Sequence, residues 1–128
     1  MEGALEVVVL PVRDIEASKR FYAEQLGFTV DIDEPGFVQL TPVGSGCSVQ
    51  VKPLAERQEF GVRPTLLLVV ADVDAARAEL AGRGVAVSPV SHYESTGVVE
   101  GRGGRWNSFV FFDDPDGYPW AIQERPAE

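Results

Sequence analysis

The chain repeats itself, and the repeat limits its architecture more than any other feature. The pattern VVVLPVRDIEASKRFYAEQLGFTV at 7–30 returns as LLLVVADVDAARAELAGRGVAV at 66–87. Val12 aligns with Val70 and Asp14 with Asp72; after a one-residue gap Gly27 aligns with Gly84 and Val30 with Val87. More weakly, ThrProValGly at 41–44 mirrors AspProAspGly at 114–117. Self-similarity of this kind marks one supersecondary unit used twice.

Each copy opens on an apolar run, Leu5 to Val12 and Thr65 to Ala71, whose β-branched content reads as a buried strand. An N-cap aspartate follows: Asp14 in the first copy, Asp72 or Asp74 in the second. Ile15, Phe21, Tyr22 and Leu26 lie on one helical stripe, and Val73, Ala76 and Leu80 on another. Gly27 closes the first helix; Gly82 and Gly84 close the second. Phe28 to Asp33, Phe37 to Thr41 and Cys47 to Lys52 then read as strands, with turns at 34–36 and 42–46. In the second half Val85 to Val87, Ser108 to Phe112 and Trp120 to Glu124 read as strands, with a tight turn at 114–117. Ser88 to Asn107 reads as a long loop, and the polar stretch 53–64, with a Pro near each end, as a linker. The expectation is an α+β fold in one domain, 1–128. Two βαβββ modules, about 5–52 and 65–124, form a curved mixed sheet around a cavity, with the helices on the convex face.

Composition narrows the partners. A length of 128 residues allows one domain with a core that needs no staples. The net charge of −9, from 11 Lys and Arg against 20 Asp and Glu, repels polyanions, so neither nucleic acid nor an anionic membrane is an expected partner. No apolar run approaches the ~20 residues of a membrane span. The N-terminus carries an acidic residue where a secretory signal needs positive charge, so a cytoplasmic location is expected. Cys47 is alone and has no disulfide partner; without a sequence-adjacent base it reads as an inert thiol.

A strand, an Asp and a helix ending in PheTyr…LeuGlyPhe, with AspProAspGly near the C-terminus, make a specific combination. The segments VVLPVRDIEASKRFYAEQLGF (8–28), LLLVVADVDAARAELAGRGV (66–85) and FVFFDDPDGYPWAIQE (109–124) resemble the vicinal oxygen chelate superfamily. That group contains glyoxalase I, extradiol dioxygenases, fosfomycin-resistance enzymes and bleomycin-binding proteins. The resemblance spans nearly the whole chain and implies paired βαβββ modules and a homodimer, sometimes with modules exchanged between chains.

The resemblance also implies where a metal would sit in metal-using relatives. One ligand, usually His, lies seven residues before each helix-capping Asp; another follows the AspProAspGly turn. Here those positions hold Val7, Thr65 and Ala121, and the partner strand of the first half supplies Gln50 or Ser48. Val and Ala have no lone pair to offer, and neutral Thr, Gln and Ser are weak ligands for a divalent ion. No metal or other cofactor is therefore expected. Glu6 and Glu124 alternate to the opposite faces of their strands. The lone imidazole, His92, would need Glu94 and a cavity residue to build a relocated site.

If Val7 marks the cavity face, alternation adds Val9, and the second module adds Thr65, Leu67, Ala121 and Gln123. Ser48, Gln50, Gln39 and Thr41 line neighbouring strands, and Phe109 and Phe111 share one face. The 88–107 loop contributes His92, Arg105 and Trp106, the last able to stack on a planar ligand. Such an apolar, aromatic cavity with a few amides and hydroxyls suits a small organic ligand, as in the drug-sequestering relatives. The alternatives are a lyase, isomerase or dioxygenase, either metal-free with His92, Tyr93 or Glu94 as acid–base groups or with relocated metal ligands, and a structural module with no small ligand.

Overall fold

A parallel pair of strands needs a crossover, and in both halves that crossover is the helix after the capping aspartate. The computed structural model describes residues 1–55 and 60–127, in two compact units, Met1–Gly61 and Val62–Glu128. In unit 1, β1 (Val7–Val12) leads to α1 (Ile15–Arg20), then β2 (Thr29–Glu34), β3 (Phe37–Thr41) and β4 (Ser48–Pro53). The strand order is β1-β4-β3-β2, with β1 parallel to β4 and the other pairs antiparallel.

The helix starts where the sequence places it. Asp14 is extended, and its carboxylate accepts a hydrogen bond from the Ala17 N–H at 3.1 Å. After Arg20 the helix widens into one π turn, Phe21–Gln25, with the Leu26 N–H reaching the Phe21 carbonyl. Gly27, at φ +77°, then lets the Phe28 N–H bond back to the Tyr22 carbonyl at 2.9 Å. Tyr22 is fully buried between Phe21, edge-on at 5.3 Å, and Phe28, stacked at 5.6 Å. The helix packs on β3 and β4, and Leu10, Val12, Val38, Leu40, Val49 and Val51 are buried on that side.

Unit 2 repeats the scheme with one more strand. It runs β5 (Leu66–Val70), α2 (Val73–Gly82), β6 (Ser91–Glu94), β7 (Gly97–Glu100), β8 (Phe109–Asp113) and β9 (Pro119–Glu124). The order is β5-β9-β8-β6-β7, with β5 parallel to β9. Asp72, not Asp74, caps α2 by accepting from the Ala75 N–H at 3.0 Å. Val73 and Leu80 are buried beneath the helix, which packs on β8 and β9. Trp120 stacks on Phe112 at 6.0 Å within this core, as read from the sequence. The strands thus form two mixed hydrogen-bonded sheets of four and five strands with two helices, an α+β fold.

Two expectations are corrected in unit 2. Val85 to Val87 is not a strand: Ser88 N–H bonds to the Phe111 carbonyl, but the following Pro89 has no N–H to extend a ladder. The expected loop 88–107 contains the β6–β7 hairpin, with His92 opposite Val99 and Tyr93 opposite Val98. Its turn uses Gly97 at φ +125°, a conformation that costs other residues steric strain. Strand ends shift by a residue, so Cys47, half-buried, Thr65, exposed, and Ser108 lie just outside β4, β5 and β8. Of the expected linker, Pro53 belongs to β4, and residues 56–59 lie outside the described residues. Among the described residues no helix is long and apolar enough to cross a membrane.

Replacing either cap, Asp14→Ala or Asp72→Ala, should cost about 1 kcal/mol in urea denaturation. Leu40→Ala, which empties a fully buried site, should cost about 3 kcal/mol.

Candidate functional site

Because one helix covers one face of each sheet, strand parity decides which side chains the other face presents. In unit 1 the register pairs Val7 with Ser48, Val9 with Gln50, and Gln39 with Gln50, so these residues share the face away from α1. Thr41 joins them through its hydroxyl, 2.6 Å from Ser48 Oγ. Gln50 Nε2 donates to Gln39 Oε1 at 2.8 Å. This face is polar and partly exposed, with Val9 its most open apolar residue.

The matching face of unit 2 is aromatic. Leu67 pairs with Ala121, Ala121 with Phe111, and Phe109 with Gln123. The Phe109 and Phe111 rings stack at 6.0 Å, and Tyr93 meets both edge-on, at 5.1 and 6.2 Å. Leu67, Val69 and Tyr93 remain 50%, 43% and 51% exposed, a large apolar surface for one sheet face. At its edge a recess of about 460 Å³ is lined by Ala86, Val87, Ser88, Phe111, Phe112 and Asp113.

The segment 101–107 borders this face and is tied down at almost every residue. Asn107 bonds the Tyr93 backbone at both ends, Oδ1 to its N–H and Nδ2 to its carbonyl. Gln123 Nε2 donates to the Trp106 carbonyl at 2.8 Å, and the Gly103 N–H donates to Ser108 Oγ. Trp106 stands at φ +62° with its side chain half exposed, an unusual backbone state for a bulky residue. Arg105 is exposed beside it. Asn107 escaped the sequence reading because an isolated amide gives no pattern; only the hairpin reveals its partner.

His92 behaves differently from its neighbour Tyr93. Alternation along β6 turns His92 and Glu94 to the face opposite Tyr93, so the three acid–base candidates do not converge. His92 Nδ1 donates to the Gly101 carbonyl at 2.7 Å, and Nε2 lies 2.6 Å from Glu94 Oε2. The Gly101 carbonyl foremost, then the Glu94 carboxylate, raises the His92 pKa above 6.5. Both ring nitrogens are thus engaged, one with a carbonyl and one with a carboxylate.

The positions that hold metal in relatives carry poor donors in this structure too. Val7 and Ala121 offer none; Ser48 and Gln50 spend hydrogen bonds on Thr41 and Gln39; Thr65 is exposed outside β5. These residues do not fit a divalent ion. Among the described residues one carboxylate group, Asp72, Asp74 and Glu124, has donor atoms within 4.8 Å of one another. Arg102 already bridges Asp74 and Glu124, and Glu124 also accepts from the Val73 N–H at α2, on the helix side of its strand. That N–H, then Arg102, lowers the Glu124 pKa below 4.5.

Glu94→Gln should lower the His92 pKa, followed by imidazole NMR. His92 is raised in the fold, so its stabilisation is full below about 6.5 and lost as pH rises through the folded value. Glu124 is lowered, so its contribution is present above about 4.5 and fades as pH falls through the folded value. Gly103→Ala should destabilise by about 1–3 kcal/mol, because a Cβ there would lie 2.2 Å from the Asn107 carbonyl oxygen and 2.7 Å from His92 Cβ.

Comparison with known proteins agrees with this architecture. The family model described as Glyoxalase/Bleomycin resistance protein/Dioxygenase superfamily matches residues 4–122. TnmS3, an antibiotic binding protein from Streptomyces sp. CB03234, is 30% identical, with 98% of each chain covered and a TM-score of 0.77. A glyoxalase/bleomycin resistance protein from the same organism is 31% identical, covering 94% of this chain and 99% of its own, with a TM-score of 0.72. A superfamily member from Sphaerobacter thermophilus DSM 20745 is 25% identical over 97% and 98% of the chains, with a TM-score of 0.72. No match is found among curated proteins. With almost its whole length matched, the chain belongs to the Glyoxalase/Bleomycin resistance protein/Dioxygenase superfamily.

Proposed function

We propose that the chain binds a small organic molecule, held chiefly by packing on the open aromatic face of unit 2, without a metal at the family's positions. The observation that carries this reading is the Phe109–Phe111–Tyr93 cluster beside exposed Leu67 and Val69. Apolar surface of this extent on one side of a five-stranded sheet is costly to leave bare and is what a ligand of low polarity would cover. The likeness to the antibiotic-binding TnmS3 over 98% of the chain supports a ligand of natural-product type. The poor donors at the family's metal positions support metal independence, and the family resemblance supports a homodimer. The engagement of both His92 nitrogens takes support away from metal-free acid–base catalysis.

A thermal-shift screen of aromatic and basic natural products tests the reading. A ligand at 100-fold its dissociation constant should add about 2.7 kcal/mol of stability. Tyr93→Ala and Phe111→Ala should each weaken it roughly fivefold or more, and dialysis against a chelator should leave affinity unchanged. Binding that disappears on chelation, or that ignores both substitutions, refutes it.

A further inference from the structure

Strands β6 and β8 meet at one ladder pair, Ser91 opposite Phe109. Two residues further along β6, the same antiparallel register sets Tyr93 opposite Asn107. Ser108 spends its carbonyl on the Glu124 N–H of β9, so by alternation the main chain of Phe109 and of Asn107 belongs to the β6 side. A residue there would normally give its own N–H and carbonyl to its partner. Asn107 does not. Its main-chain N–H turns to the Gly104 carbonyl at 3.2 Å.

The side chain takes the ladder over. Asn107 Oδ1 accepts from the Tyr93 N–H at 2.8 Å, and Nδ2 donates to the Tyr93 carbonyl at 3.0 Å. A primary amide carries a donor and an acceptor in one plane, as a peptide group does, so it can close a pair that the main chain has left. Trp106 accounts for the departure. At φ +62° it turns the chain off the strand, and Gln123 Nε2 holds its carbonyl at 2.8 Å. The consequence falls on the aromatic face. Val98 lies opposite Tyr93 on the β7 side, and Asn107 holds its backbone on the β8 side. The ring then stands edge-on to Phe109 and Phe111, at 5.1 and 6.2 Å, while half exposed.

We propose that Asn107 positions Tyr93 for ligand binding, standing in for a main-chain residue so that the phenol ring stays edge-on to Phe109 and Phe111. The inference rests on the small-molecule reading of this face and adds the residue that preorganises it. Rings already held in place spare a ligand the cost of ordering them.

The test is a double-mutant cycle on the full chain, with neutral 2-naphthylmethanol as the probe. In the free protein, Asn107→Ala should move the Tyr93 ring-proton NMR signals toward those of a solvated tyrosine, as the ring currents of Phe109 and Phe111 are lost. Probe affinity should fall roughly fivefold. In a Tyr93→Ala background the same change should alter affinity by less than about twofold, because its route to the ligand is gone. Asn107→Asp keeps the acceptor for the Tyr93 N–H and loses only the donor; it should fall between wild type and Asn107→Ala, and it carries the cycle if Asn107→Ala does not fold. Unchanged Tyr93 ring signals, unchanged probe affinity, or an equal loss in the Tyr93→Ala background overturns the positioning role and leaves small-molecule binding standing. A wild type that does not bind the probe counts against the small-molecule reading and overturns the inference with it.

Discussion

Parallel pairing of the first and last strands is the constraint on which each unit depends. Strands β1 and β4, like β5 and β9, run the same way, so the chain must cross over the sheet between them, and it does so as a helix on one face. Among the described residues each unit carries one crossover helix, so each sheet keeps a second face that its own unit's helix does not cover. The aspartate cap, the glycine that ends the helix and the buried residues under it are recurring parts of that one solution. A protein built this way has an open sheet face as a necessary product of its topology, and its chemistry is whatever the outward strand positions carry.

The parts of the fold that obey local rules were legible in the sequence. Asp14 and Asp72 cap because a carboxylate accepts the free N–H groups of a first turn, and Gly27 and Gly84 sit at φ +77° and +83°, where other residues are strained. The β6–β7 hairpin was not legible. Its Ser95-Thr96-Gly97 turn lacks an Asn-Gly or Asp-Gly signal, and its strands of four residues give too few alternations to stand out. Reading 88–107 as a loop placed His92, Tyr93 and Glu94 together; as a strand they separate by parity. Phe109 and Phe111 were placed on one face correctly because period-2 alternation needs no tertiary information.

A bulge at Asp31 in β2 marks a different limit. ThrValAspIleAspGlu reads as regular alternation, and that reading puts Val30 and Ile32 on one face. The inserted residue moves Ile32 to the face of Gln39 and sends Asp33 back toward Lys19 on α1. A bulge is decided by pairing across strands, so no property of β2 alone announces it. Trp106 is similar: its φ of +62° costs ~1–3 kcal/mol, and it persists because Asn107, Gln123 and Gly103 hold the residues around it.

The duplicated units have diverged where their shared topology permits. Beneath the helix, Leu10, Val12, Val49 and Val51 of unit 1 and Val110, Phe112, Trp120 and Ile122 of unit 2 are all buried and aliphatic or aromatic, because each set must fill the space under one helix. On the other side unit 1 carries Gln39, Thr41, Ser48 and Gln50, whereas unit 2 carries Leu67, Phe109, Phe111 and Ala121. The first set offers directional hydrogen bonds; the second offers apolar area, whose burial is non-directional and grows with surface removed from water. Val7 and Ala121 lie on these faces and bring no lone pair to them, so neither position presents a polar atom that an ion would have to satisfy.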